Sequence, residues 1–223
     1  MFKMNPRVQG TSEEVIALYR QVMPSTIGHM TDFGFLKGLR PLFPGSRLVG
    51  NAVTVRIPHM DSSAVHQALT IAEAGDVIVV DMSGDTERSC WGGVLSYIAR
   101  QKGLAGVVVA GCVNDVAEII DLKFPVFSLG VSPLTTRIVG IEGEINTVIS
   151  VCGTSIRPGD LIVADDDGAF AVHPAEAESF GRRAVDIQNA EVELKRKLQA
   201  GATIASISGA EAFFTRIEET GER

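Results

Sequence analysis

Two uninterrupted apolar runs constrain the fold of this chain more than any other feature. Val77–Val80 lies between two aspartates, and Ala105–Ala110 follows a helical pattern at residues 92–101. Runs that are apolar at every position, rather than at every second one, are typical of parallel strands that are covered on both faces. A second helical pattern at residues 62–74 precedes the first run. This order predicts βαβ units and a mostly parallel sheet.

The amino-terminal part of the chain predicts one helix, one loop and one strand. A capping box between Thr11 and Glu14 predicts the start of a helix that ends at Pro24. The Gly- and Pro-rich residues 34–45 predict a loop, and residues 47–57 carry a strand pattern. Beyond the second apolar run, a short helix from residue 116 and a strand at residues 126–129 continue the βαβ series.

The pattern changes after Gly140, where strands follow one another without intervening helices. The predicted strands are 145–151, 161–164 and 169–172, and they imply a second, antiparallel sheet. Asp165–Gly168 reads as a tight turn in which Gly168 supplies a positive φ. A long helix at residues 175–198 opens a carboxy-terminal extension, about 175–223, that we expect at a subunit interface. The fold class is thus α/β, and residues 1–223 are expected to form one domain.

Composition and charge narrow the classes of partner and compartment. The net charge of -7 comes without a basic stretch, which argues against nucleic-acid binding. No apolar run approaches the roughly 18 to 20 residues that cross a bilayer, so no membrane span is expected. Residues 1–6 show no secretion signal, and we expect a cytoplasmic location. The three cysteines are widely spaced and lack a C-x-x-C pair, so neither a disulfide framework nor a zinc site is indicated.

Asp115 is the strongest single candidate for a functional residue. It follows a buried strand and precedes a helix, and in α/β sheets ligands collect at the carboxyl ends of parallel strands. Asp115 and Glu118 also fit a D-x-x-E capping box, and by spacing alone this structural role is favoured. The two roles do not exclude each other.

The glycine-rich start of the next candidate helix, Gly92-Gly93-Val94-Leu95, is a second possible site. Free N–H groups and the positive end of the helix dipole there can bind a carboxylate or phosphate. Without other evidence, a flexible helix entry with Trp91 in the core is the better interpretation. The histidines share no metal-ligand spacing, so we expect packing or surface roles for His29, His59, His66 and His173. Serine-hydrolase and dinucleotide-binding loops are missing.

Several motifs together make the chain resemble the RraA-like family, which includes the 4-hydroxy-4-methyl-2-oxoglutarate aldolases and the regulator of ribonuclease E activity. They cover most of residues 10–195 in the family's order. The motifs are RLVGNAVTV at 47–55, AGDVIVV at 74–80, WGGVL at 91–95, GVVVAGCVND at 106–115, FPVF at 124–127 and PGDLIVADDDG at 158–168.

The resemblance implies a compact β/β/α fold that forms homotrimers or homohexamers with active sites at subunit interfaces. It implies Mg²⁺ or Mn²⁺, held largely through water near Asp115. It also implies a pyruvate-type 2-oxo acid between that ion, the N–H groups of Val94 and Leu95, and an arginine just before the aspartate. The metal acts as a Lewis acid on the enolate, in aldol cleavage or in oxaloacetate decarboxylation.

Two positions depart from the aldolase pattern of this family. Asn114 replaces the arginine and cannot form its bidentate, charged pair with a carboxylate, unless Arg88 or Lys102 compensates. Gly93 replaces an acidic residue of the loop. Asp85 and Glu87 lie near in sequence, and Glu191 of a neighbouring subunit is a further candidate for an acidic catalytic group.

Two hypotheses about function follow from the resemblance and its departures. The first is a metal-dependent lyase that cleaves or decarboxylates a 2-oxo acid, because Asp115 and the glycine loop are present. The second is a non-catalytic regulator that binds a protein partner such as an endoribonuclease, because the arginine and the loop carboxylate are missing.

Overall fold

The computed structural model describes residues 1–58 and 60–220, the last three of them by backbone alone, and confirms the α/β class. Its helices are α1 (Glu13–Tyr19), α2 (Pro24–Gly28), α3 (Ser63–Ile71), α4 (Gly93–Gln101), α5 (Val116–Leu122), α6 (Pro174–Gln199), α7 (Ile204–Ser208) and α8 (Ala210–Thr220). Its strands are β1 (Phe2–Met4), β2 (Arg40–Pro41), β3 (Leu48–Arg56), β4 (Val77–Asp81), β5 (Gly106–Val113), β6 (Val126–Val131), β7 (Gly143–Ile145), β8 (Ile149–Val151), β9 (Thr154–Ile156), β10 (Leu161–Asp165) and β11 (Gly168–Val172).

The predicted βαβ units form the centre of the molecule. Strands β3, β4, β5 and β6 are parallel neighbours, and α3, α4 and α5 make the crossovers between them. The side chains of β4 and β5 alternate between two cores, since Val80 and Val109 meet the core under the helices while Val79 and Val108 meet the core on the opposite face. Burial on both faces explains why these strands are apolar at every position.

The predicted antiparallel sheet is present, and it shares a strand with the parallel one. The first residues of β3 pair with β10, and β10 pairs with β11, both antiparallel. The turn between β10 and β11 is the predicted one, with Gly168 at a φ of 144°. The single strand predicted at residues 145–151 is wrong, because Asn146 adopts a left-handed φ of 54° and separates β7 from β8.

The start of α1 differs from its predicted capping box. Ser12, not Thr11, is the N-cap, and its Oγ accepts a hydrogen bond from the Val15 amide. Thr11 instead contacts Asn51, which lies on β3. Pro24 does not end this helix, since α1 stops at Tyr19 and Pro24 occupies the first turn of α2. Proline lacks an N–H group and therefore suits a first turn.

The carboxy-terminal extension consists of α6, α7 and α8. Helix α6 is capped by His173, whose Nδ1 accepts a hydrogen bond from the Ala175 amide. Its buried residues, Ala177, Gly181 and Ala184, all lie in its first half. The expected contact of this extension with a neighbouring subunit stays a prediction. Residues 221–223 of the extension lie outside the described part.

The histidines and the membrane prediction can be compared with the structure directly. His29 and His66 are exposed, and His173 is a helix cap, which confirms structural or surface roles for these three. His59 lies outside the described residues. Within the described ranges, no helix has the length and apolar character that a membrane crossing requires.

Asn51 provides a test of how the amino terminus is attached to the sheet. Its Oδ1 accepts hydrogen bonds from the Thr11 amide at 2.9 Å and the Thr11 hydroxyl at 2.8 Å, and its Nδ2 donates to the Thr11 carbonyl at 3.0 Å. Asn51→Leu conserves the volume and removes all three bonds, so we expect the free energy of unfolding in urea to fall by about 3 kcal/mol. Thr11→Val removes one bond and should cost about 1 kcal/mol. Equal losses for the two variants would contradict this assignment.

Candidate functional site

The candidate site begins where β5 ends. This strand runs to Val113, three residues beyond its predicted end at Ala110, so Asn114 and Asp115 follow it directly. Asp115 has a left-handed backbone, with φ 54° and ψ 42°. Aspartate tolerates this conformation better than most residues, although it costs about 1 kcal/mol. The turn places Asp115 at the carboxyl edge of the parallel sheet, as predicted.

The Asp115 side chain caps a neighbouring helix rather than its own. Its Oδ2 accepts a hydrogen bond from the Gly93 amide at 3.0 Å, at the head of α4. It makes no cap bond to α5, so the predicted capping box with Glu118 is wrong. The carboxylate therefore joins the end of β5 to the glycine-rich loop, two segments that the sequence presents as separate candidates.

Trp91 holds the glycine-rich loop in position. Its ring is 1% exposed and stacks on Phe124 with ring centroids 6.4 Å apart. Its Nε1 donates to the Ser96 Oγ at 2.8 Å, and its carbonyl accepts a hydrogen bond from the Asn114 amide at 3.0 Å. The expectation that Trp91 packs in the core is confirmed. One buried ring thus orients both the start of α4 and the end of β5.

The head of α4 retains two free hydrogen-bond donors. The Gly93 amide is used by Asp115, whereas the Val94 and Leu95 amides lie in the first turn and have no acceptor within the helix. Within the described ranges, neither amide is paired with an acceptor from another segment. The loop is therefore a helix entry that also presents two donors, and ligand binding there stays a prediction.

Three polar side chains occupy the space beside the two glycines. A Cβ atom at Gly92 would lie 2.5 Å from Asp115 Oδ2 and 2.8 Å from Asn114 Nδ2. A Cβ atom at Gly93 would collide with the Glu118 carboxylate. The glycines therefore leave room for Asn114 and Asp115 beside residue 92 and for Glu118 beside residue 93. The sequence pattern predicts only a capping role for Glu118, although its position three residues after Asp115 places it on the same side of α5.

The cations considered as substitutes for the missing arginine are engaged elsewhere. The Arg88 guanidinium forms an ion pair with Asp85 at 3.0 Å. Burial alone would raise the pKa of the Asp85 carboxyl, but the amides of Arg88 and Glu87 and the Arg88 guanidinium outweigh it and hold that pKa below its usual value. Lys102 lies at the other end of α4 and donates to the carbonyls of Leu69 and Thr70. Neither cation pairs with Asp115.

Glu191 is not brought to Asp115 within one chain. It lies in the second half of α6, a helix that packs against α1 and α2, whereas Asp115 lies between β5 and α5. The Gln188 side chain bonds α6 to the Gln21 carbonyl and the Met23 amide, and Glu191 lies beyond it, partly exposed. A role for Glu191 across a subunit interface stays a prediction.

The donor set at the glycine loop fits a hard divalent cation. Asn114, Asp115 and Glu118 offer oxygen atoms, and Mg²⁺ is usually held by one or two carboxylates while it retains several waters. Among the described residues no group of three His, Cys, Asp or Glu side chains could form a full protein cage. These residues suit a partly hydrated ion, and its presence stays a prediction.

Gly92→Ala tests the need for space in this loop. The added Cβ should displace the Asp115 carboxylate from the Gly93 amide, because it would lie only 2.5 Å from Asp115 Oδ2. We expect a loss of about 1 to 2 kcal/mol in the free energy of unfolding. Gly28→Ala is the control, since its Cβ would meet only a ring carbon of Phe170 at 3.9 Å. Equal stability of both variants in urea denaturation would contradict the contact.

Comparisons with known proteins agree with the fold. A putative 4-hydroxy-4-methyl-2-oxoglutarate aldolase from Halalkalibacterium halodurans is 38% identical over 146 residues, which are 66% of this chain and 69% of that protein. An uncharacterized protein from Methanocaldococcus jannaschii is 32% identical over 175 residues, or 77% of this chain and 83% of that one.

A solved structure from Streptomyces coelicolor has a similar fold. It is RraAS2, described as an unusual member of the RNase ES inhibitor RraA protein family, and it matches with a TM-score of 0.75 and 27% identity. The match covers 85% of this chain and 98% of that chain. The family model described as RraA-like, Aldolase/RraA, matches residues 24–171, which include the glycine loop and Asp115. The resemblance is thus confirmed, and the chain belongs to the RraA-like family.

Proposed function

We propose that this protein is a lyase that depends on a divalent metal and acts on a 2-oxo acid. The reaction is aldol cleavage of the 4-hydroxy-4-methyl-2-oxoglutarate type, decarboxylation of oxaloacetate, or both. The observation that carries the proposal is the hydrogen bond of the Asp115 carboxylate to the Gly93 amide, which places it next to the free Val94 and Leu95 amides at the head of α4. Relatives described as putative aldolases of this type support it.

We place the binding site of the substrate carboxylate at the amino-terminal end of α4. Two amides in the first turn and the positive end of the helix dipole favour an anion there. Asn114 lies beside them and can donate one neutral hydrogen bond from its Nδ2. The substrate is thus oriented by backbone donors and an amide instead of a guanidinium.

The charges at the site favour a cation between protein and substrate. Asp115 and Glu118 are both negative and neither has an ion-pair partner in the described part of the chain. A 2-oxo diacid is also negative, so without a cation it would be repelled. Mg²⁺ or Mn²⁺ would be held by Asp115, largely through water, and supplies Lewis-acid stabilisation of the negative charge that develops on the substrate.

Both reactions place the same demand on the protein. Breaking the bond to carbon 3 leaves its electron pair on pyruvate as an enolate. In aldol cleavage the 4-hydroxyl gives up its proton to a base as a carbonyl compound leaves, whereas in decarboxylation the carboxylate leaves as CO₂. The fixed amides of Val94 and Leu95 keep the remaining carboxylate in place while that charge forms. A proton must then reach carbon 3, and Glu191 of a neighbouring subunit is our candidate to carry it.

The proposal includes a homotrimer or homohexamer with the site near a subunit contact. Apolar side chains are exposed on two segments near the site. On α4, Val94 is 67% exposed and Tyr97 52%; at the end of β6 and just after it, Val131 is 59% exposed and Leu134 47%. Exposed apolar surface of this extent is typical of association. A second chain placed there would also exclude water from the head of α4.

A regulatory function is the second candidate. The similar Streptomyces protein is described as belonging to a family of ribonuclease inhibitors, and the arginine of the aldolase pattern is missing here. In that case the exposed surface would bind a protein partner such as an endoribonuclease. Inhibition of an endoribonuclease by both wild type and Asp115→Asn, with no turnover of 2-oxo acids, would favour it.

The enzymatic proposal predicts turnover that depends on metal and on Asp115. With Mg²⁺ or Mn²⁺, oxaloacetate should yield pyruvate in a coupled assay, and a chelator should stop the reaction. Asp115→Asn keeps an oxygen for the Gly93 amide but removes the charge, so we expect a rate lower by on the order of 100-fold. Asp121→Asn, on the helix α5 that follows Asp115, is the charge-matched control. A rate independent of metal would contradict the proposal.

Asn114→Arg tests the effect of the missing guanidinium. A charge-assisted hydrogen bond contributes about 1.5 to 3 kcal/mol, so the KM for a 2-oxo acid should fall by about tenfold to a hundredfold. Asn114→Gln lengthens the side chain without adding charge and should not lower KM. An unchanged KM in Asn114→Arg would show that the substrate carboxylate does not lie beside residue 114.

A further inference from the structure

The Glu118 carboxylate occupies the position from which a side chain on residue 93 would begin. Glu118 lies in the first turn of α5, and its carboxyl group fills the space where a Cβ of Gly93 would stand. The Asp115 carboxylate lies against the adjacent Gly92. Two carboxylates from one helix start therefore face the head of α4.

Glu118 is exposed, and no protein partner in the described part of the chain holds it at this position. Within the described residues its carboxylate forms no hydrogen bond and no ion pair, and the Gly93 amide is already used by Asp115. Two negative groups that lack a cation repel each other, although the dipole of α4 offsets part of this cost. A divalent cation between them would remove the repulsion.

We propose that Glu118 supplies a second carboxylate to the cation site, from α5, in place of a carboxylate on residue 93. This inference rests on the proposed function, because it assigns a residue to the same metal site. It accounts for both glycines of the loop: Gly92 leaves room for Asp115, and Gly93 leaves room for Glu118. The site keeps two carboxylates although residue 93 has no side chain.

Binding of Mn²⁺ to the full-length chain without substrate tests the inference apart from catalysis. Free Mn²⁺ is counted by electron paramagnetic resonance during a titration. Glu118→Gln keeps the shape and removes the charge, and we expect Kd to rise about tenfold or more. Asp121→Asn is the control, because Asp121 is exposed on the same helix and loses the same charge. Its Kd should change less than about twofold.

A transfer of the carboxylate provides the second test. Glu118→Ala should weaken Mn²⁺ binding and clear the space beside residue 93. Adding Gly93→Asp to that variant returns a carboxylate from α4, and we expect most of the lost affinity to return. Gly93→Asp alone should not tighten binding, since its Cβ meets the Glu118 carboxylate. Circular dichroism and thermal melting check that each variant is folded.

The outcomes separate this inference from the proposed function. If wild type binds Mn²⁺, Asp115→Asn weakens it, and Glu118→Gln matches Asp121→Asn, the assignment of Glu118 is wrong while the metal site stands. If the double variant with Glu118→Ala and Gly93→Asp binds Mn²⁺ no more tightly than Glu118→Ala alone, the assignment is likewise contradicted. If wild type does not bind Mn²⁺ at millimolar concentrations, the proposed function fails together with the inference.

Discussion

The hydrogen bond from the Gly93 amide to the Asp115 carboxylate connects the two parts of this site. It fixes the start of α4 against the end of β5, at the carboxyl edge of the parallel sheet. The bond requires a left-handed backbone at Asp115 and an absent side chain at Gly92. Its energy is modest, about 1.5 to 3 kcal/mol as a bond to a charged group, but it determines which donors remain free. Because the Gly93 amide donates to Asp115, the Val94 and Leu95 amides are the ones that remain free to bind a ligand.

The fold could be predicted from apolar patterning because burial on both faces leaves a clear trace in β4 and β5. Interruptions of a strand that depend on one backbone angle are not visible in the apolar pattern of the sequence. Asn146 divides a predicted strand with a positive φ, although apolar residues lie on both sides of it, at Ile145 and Val148. The cap at α1 shifted by one residue because Thr11 is bound to Asn51, a contact between distant segments that local spacing cannot reveal.

The position of the site could be predicted from the sequence, but the hydrogen bonds and contacts between its residues could not. Asp115 and the glycine loop were both found, yet local spacing favoured Asp115 as a cap of α5, and the structure turns its side chain toward α4. Glu118 was missed as a site residue for the same reason, since its contact with Gly93 joins two crossover helices. The availability of positively charged side chains near the site was also not predictable from local sequence. Arg88 and Lys102 looked available in sequence, but each is held by its own neighbours.

Asn114 and Gly93 distinguish this member of the RraA-like family from the aldolase pattern, and Asp115 and Glu118 are the two carboxylates that we propose for its cation site. The most direct test is a crystal structure with Mn²⁺ and oxalate, a mimic of pyruvate enolate, recorded with anomalous scattering from manganese. We expect one manganese peak beside Asp115 and Glu118, with oxalate on the Val94 and Leu95 amides. A manganese peak elsewhere, or none at the glycine loop, would contradict a metal-dependent site at Asp115.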